Sequence, residues 1–95
     1  MNTLTIIVPC FNEADVLVDF ISTVNLQTHE LPLIKKYLLI NDGSTDDTLD
    51  IMKNLSETFD NIFYLSISRN FGKEAAILAG LEASDSDFVT IMDAD

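Results

Sequence analysis

Along the chain, four runs of near-continuous apolar residues alternate with three stretches whose apolar residues recur at helical spacing. Residues 3–9 (TLTIIVP) are β-branched and apolar, which predicts a buried strand ending at Pro9. Val16, Leu17, Phe20, Ile21 and Val24 then share one stripe of an amphipathic helix, with Asn12 as its N-cap and acids in the first turn. Residues 27–32 (QTHELP) read as loop. The plan repeats with a strand at 35–42 (KKYLLIND), a Gly-Ser-Thr turn, and a helix over 46–59 with Leu49, Met52, Leu55 and Phe59 inward. Ser44 or Thr45 can cap that helix, and Asp46 and Asp47 suit its positive end.

A third strand at 61–68 (NIFYLSIS) leads through Arg-Asn-Phe-Gly into a helix at 73–84, whose Ala75, Ala76, Ala79 and Gly80 allow close approach to a sheet. A fourth strand spans 87–93 (DFVTIMD). This β-α-β-α-β-α-β alternation with apolar strands predicts an α/β fold, a mostly parallel sheet covered by helices on both faces. In such sheets ligands bind beyond the carboxyl ends of the strands, where strand order reverses. Those ends are Pro9-Cys10-Phe11-Asn12-Glu13, Asn41-Asp42-Gly43-Ser44, Ser68 to Lys73, and Asp93-Ala94-Asp95.

Charge narrows the choice of ligand. The net charge is −11, from 16 acidic and 5 basic residues. There is no Lys/Arg cluster for nucleic acid and no polybasic segment for an anionic membrane surface. A phosphate ligand would need a bound cation to offset the acidity. Cys10 is the only cysteine, which excludes an internal disulfide and reads as a buried thiol. No apolar run reaches the roughly 20 residues of a membrane span, and the composition is cytosolic in character.

Several residues admit two roles. Asp42 can cap the turn that follows it, or serve as a fixed acceptor for the imino N–H of a nucleobase. Glu13 can favour a helix start or accept ribose hydroxyls. Arg69 and Lys73 flank a glycine-containing loop that opens a helix, an arrangement that suits phosphate but also a solvated loop. Asp93 and Asp95 form an Asp-x-Asp pair of hard oxygen ligands for Mg²⁺ or Mn²⁺. The Rossmann glycine fingerprint, the P-loop and the serine nucleophile elbow are all absent from the sequence.

Together, IIVPCFNE, INDGSTDDT, SRNFGKEAAILAGL and MDAD resemble the family 2 glycosyltransferases of the GT-A fold. The third segment is most similar to the branch of dolichyl-phosphate mannose synthases and undecaprenyl-phosphate sugar transferases. The resemblance implies a sheet ordered 3-2-1-4, a nucleotide-diphosphate sugar such as a UDP- or GDP-sugar, Mg²⁺ or Mn²⁺, and inverting transfer to a polyprenyl phosphate. Pro9, Phe11, Asn12 and Glu13 would line the nucleoside, Asp42 would hold the base, and Lys73 would lie near the diphosphate. Asp93 and Asp95 would be the DxD pair that touches ribose and metal.

Residues 1–95 would then be the nucleotide-sugar-binding part of a longer catalytic domain, cut at the DxD motif. No catalytic base is expected among them, and the parent is expected to associate with the cytoplasmic side of a membrane. The edge exposed at strand 87–93 is expected to favour homo-oligomers. The rival readings are a nucleotide-binding module without catalysis and an aspartate-based phosphotransferase.

Overall fold

The computed structural model describes residues 1–94. Its elements run β1 (Asn2–Cys10), α1 (Leu17–Thr28), β2 (Leu33–Asp42), α2 (Thr48–Thr58), β3 (Ile62–Ile67), α3 (Lys73–Ala83) and β4 (Phe88–Ile91). The four strands form one parallel sheet in the order β3-β2-β1-β4. The predicted architecture and strand order are both present.

Alternation along the strands divides the core into two layers. Ile6, Val8 and Cys10 of β1, with Tyr37 and Leu39 of β2 and Ile62 of β3, meet Leu17, Ile21 and Val24 of α1 and Met52 and Leu55 of α2. Fully burying side chains of this size contributes about 1.5–3 kcal/mol each, so this layer dominates stability. On the other face Ile7, Leu38 and Ile40 pack against Ala76 of α3. The chain lays down β1, β2 and β3 in one direction and then returns past β1 to place β4. A right-handed crossover in the reversed direction must use the opposite face, which is why α3 lies apart from α1 and α2. Its small residues permit the approach: a Cβ at Gly80 would stand 2.7 Å from Ile7 Cγ2.

β4 is short and pinned at its start. The Asp87 carboxylate accepts from the Thr3 backbone N–H (2.9 Å) and hydroxyl (3.2 Å), while the Asp87 N–H donates to Thr3 Oγ1 (3.0 Å). Pairing with β1 stops at Ile7↔Ile91, but β1 continues to Cys10 beside β2. Pro9, which has no N–H to donate, therefore lies past the end of the β1–β4 ladder and costs it nothing. Beyond Ile7 the two strands part, and a cleft opens at the point where strand order reverses.

The helix starts depart from expectation. α1 begins at Leu17, with Val16 at the N-cap position and no side-chain cap bond. Asn12 is not the cap: it sits at φ 55° in the left-handed region, which Asn tolerates better than most residues. The Glu13 carbonyl instead accepts from Val16 N and Leu17 N, closing a turn before the helix. α1 also runs through Gln27 and Thr28, which were expected in a loop. Ser44 and Thr45 do not cap α2; the Asp46 carboxylate accepts from the Thr48 N–H at 2.9 Å. Phe59 is exposed, because the chain has already turned extended at this position. Asp93 lies past the end of β4, and Asp95 lies outside the described residues.

Candidate functional site

The cleft at the carboxyl edge of β1 and β4 encloses about 230 Å³ and is lined by Pro9, Cys10, Phe11, Glu13, Asp42, Asn70, Gly72, Lys73 and Asp93. All four strand ends contribute. Of the residues singled out in the sequence, Pro9, Phe11, Glu13, Asp42, Lys73 and Asp93 meet here. Asn12 does not line it.

Asn12 has a different task. Its side-chain oxygen accepts from the backbone N–H groups of Thr45 (2.8 Å) and Asp46 (3.3 Å), and its own N–H donates to Ser44 Oγ (3.0 Å). Next to it the Glu13 N–H donates to Thr48 Oγ1 (2.9 Å), and the Ala14 N–H donates to Asp46 Oδ2 (3.3 Å). Residues 12–14 are thus stitched to 44–48 by bonds between segments more than thirty positions apart. Partial desolvation pushes the Asp46 carboxyl up, but the hydroxyl and N–H of Thr48 and the N–H of Ala14 outweigh it and hold the group below its ordinary value. The stitched segment directly follows Phe11, a cleft-lining residue that is 43% exposed.

Asp42 is only 3% exposed, and both of its oxygens are engaged. Oδ1 accepts from the Phe71 N–H at 2.9 Å and Oδ2 from the Gly72 N–H at 3.0 Å. Of its two readings, capping the following turn falls to Asn41, whose Oδ1 accepts from the Ser44 N–H at 3.1 Å. Two backbone donors of the glycine loop, credited in the sequence to a phosphate, are therefore already held by a carboxylate. The neighbouring Gly43 is at φ 68°, and a Cβ there would come within 2.3 Å of the Arg69 carbonyl carbon and the Asn70 nitrogen. Arg69 stacks over the Phe71 ring, 5.2 Å from its centroid.

Across the cleft, Lys73 Nζ pairs with Asp93 Oδ1 at 2.6 Å, both side chains about half exposed. Glu13, Asp42 and Asp93 against Lys73 leave the lining acidic, so a polyanion would need a cation beside it. Asp93 offers one hard oxygen donor, and Mg²⁺ or Mn²⁺ is commonly held by one or two carboxylates together with substrate phosphates and water. Among the described residues no group of three His, Cys, Asp or Glu side chains could hold a metal. The donor set fits an ion completed by its ligand, not an all-protein cage. Asn70, Gly72 and Cys10 line the cleft without having been assigned a role in the sequence; Cys10 is buried, its thiol donating to the Val8 carbonyl at 3.4 Å.

The model of the family described as "Glycosyl transferase family 2" matches residues 5–95. The chain belongs to this family. This family 2 chain is 41% identical over 92 residues to CsbB of Bacillus subtilis (strain 168), covering 97% of the chain and 28% of that protein. It is 34% identical over 93 residues to the undecaprenyl-phosphate 4-deoxy-4-formamido-L-arabinose transferase of Pseudomonas syringae pv. syringae, covering 97% and 28%. Among solved structures, the mannosyltransferase PcManGT of Pyrobaculum calidifontis in complex with GDP-Man and Mn²⁺ superposes with a TM-score of 0.81 at 25% identity, covering 99% of this chain and 28% of that one. The chain spans less than a third of the length of the curated relatives it matches. Among the described residues no helix is long and apolar enough to cross a membrane.

Proposed function

We propose that this chain is the donor-binding part of a glycosyltransferase that moves a sugar from a nucleotide-diphosphate sugar to a polyprenyl phosphate. The carrying observation is the cleft at the β1–β4 switch point, where side chains from all four strand ends converge in a member of family 2. Support for the ligand classes comes from relatives: the GDP-Man and Mn²⁺ complex of the mannosyltransferase, and a curated relative that is an undecaprenyl-phosphate sugar transferase.

In this reading Phe11 offers its exposed ring to a nucleobase, and Pro9 shapes the wall behind it. Asp42 keeps unused lone pairs on its two oxygens and can accept a base N–H while retaining the loop. Glu13 accepts from ribose hydroxyls. Lys73 leaves Asp93 to meet the diphosphate, where its charge opposes the negative charge that develops on the departing nucleotide. Asp93, with Asp95 outside the described residues, would hold the divalent ion; Asn12 acts through the loops it ties. The ion, when bound, would supply Lewis acidity at the diphosphate leaving group.

Such a site predicts mutual dependence. An acidic cleft with few protein ligands should bind nucleotide weakly without metal and metal weakly without nucleotide, and linkage makes the enhancement reciprocal. Calorimetric titration of UDP and GDP, with and without Mn²⁺, into the full chain and an Asp93→Asn/Asp95→Asn variant tests this. One nucleotide should bind at least about tenfold more tightly with Mn²⁺, and the variant should lose that gain. Metal-independent binding, or equal enhancement in the variant, would contradict the proposal.

A further inference from the structure

We infer that Asp42 is a positioning residue for the diphosphate end of the cleft, acting through the loop that carries Lys73. The inference rests on the donor-binding reading above and deepens it. Asp42 ends β2, whereas Asp93 follows β4, and β2 and β4 are not neighbours in the sheet. The loop of residues 69–72 bridges them. It is held to β2 from two directions: the Asp42 carboxylate takes the N–H groups of Phe71 and Gly72, and the backbone of Arg69 and Asn70 lies so close to Gly43 that no side chain would fit between them.

Gly72 then turns the chain at φ 103°, a conformation open to glycine, directly before Lys73 begins α3. From there Lys73 reaches Asp93 at 2.6 Å. The result is one chain of contacts from a buried carboxylate, through two charge-assisted hydrogen bonds and a glycine turn, to the ammonium that faces the cleft. A carboxylate before the first turn of α3 is also electrostatically favourable, which strengthens the hold. Asp42 therefore fixes where the Lys73 charge stands, whatever else it accepts from a bound ligand.

A role confined to the base would weaken a nucleoside and its diphosphate by the same factor, as would partial unfolding. A role through the loop acts on the diphosphate alone. The test measures uridine, guanosine, UDP and GDP binding to the full chain with Mg²⁺ present, in wild type, Asp42→Asn and Gly72→Ala. Asparagine keeps one acceptor oxygen and places an NH₂ against the other N–H. Alanine at 72 meets nothing within 4 Å, so it perturbs the backbone turn without a steric clash.

Both variants should lower the ratio of diphosphate to nucleoside affinity by about tenfold, the scale of one charged hydrogen bond. Amide exchange at Phe71 and Gly72 should quicken in Asp42→Asn. An unchanged ratio in both variants, with nucleotide still binding to the wild type, overturns this inference alone. Failure of the wild type to bind either nucleotide overturns the donor reading and this inference with it.

Discussion

Gly43 and Gly72 both adopt positive φ, at 68° and 103°, but their surroundings differ. At Gly72 a methyl group would enter open space, so alanine costs only the backbone strain of about 1–3 kcal/mol. At Gly43 the methyl would collide with the main chain of Arg69 and Asn70 at 2.3 Å, and neither can rotate away as a side chain could. Gly43→Ala should therefore destabilise the protein by clearly more than Gly72→Ala, by an additional ~2 kcal/mol or above on the scale of forced overpacking. Urea unfolding of the two variants measures the order. Equal losses would mean that the contact between the two loops is not maintained in solution. Asp42 teaches the companion lesson. Its place at a strand end was legible in the sequence, but its engagement with Phe71 and Gly72, about thirty positions away, was not. Hydrogen bonds between loops depend on how the strands are ordered, and no local pattern encodes them.

Among the elements, β2 and α1 are tied through Tyr37. Its ring is fully buried between the sheet and the helix, and its hydroxyl donates to Asn25 Oδ1 at 2.6 Å. Burial pushes the phenol above its ordinary value of 10.0. The sign follows directly: between that value and the raised one, the unfolded chain loses the proton while the folded chain keeps it. Stability should be insensitive to this group below about pH 10 and fall as pH rises above it. Chemical unfolding followed from pH 9 to 11 should show the decline, and Tyr37→Phe should flatten it. An unchanged slope in the variant would contradict the assignment. The same elements show what pattern can and cannot define. Apolar runs located all four strands, and the stripe of Leu17, Ile21 and Val24 located α1. The start of α1 was misplaced because Asn12, a good helix cap by type, is drawn instead to the backbone of residues 45 and 46.

At the scale of the whole molecule, one topological fact organises the site. Reversal of strand order places α3 on the opposite face and parts β4 from β1 beyond Ile7, so that Phe11, Asp42, Lys73 and Asp93 surround a shared cleft. That convergence was readable in the sequence, since parallel strands joined by helices must end on one edge. The Lys73–Asp93 pair across the cleft was not, because each residue alone reads as a partner for an absent ligand. This chain carries a net charge of −11, which would repel a nucleotide diphosphate, so the proposed binding would need local groups and a cation. The most direct measurement is therefore where a nucleotide lands. Backbone amide shifts of the isotope-labelled full chain, followed while UDP or GDP is added with Mg²⁺, should change first and most at Phe11, Glu13, Asn70, Gly72 and Lys73. Shifts clustered on another face, with these residues unmoved, would contradict the donor-cleft account.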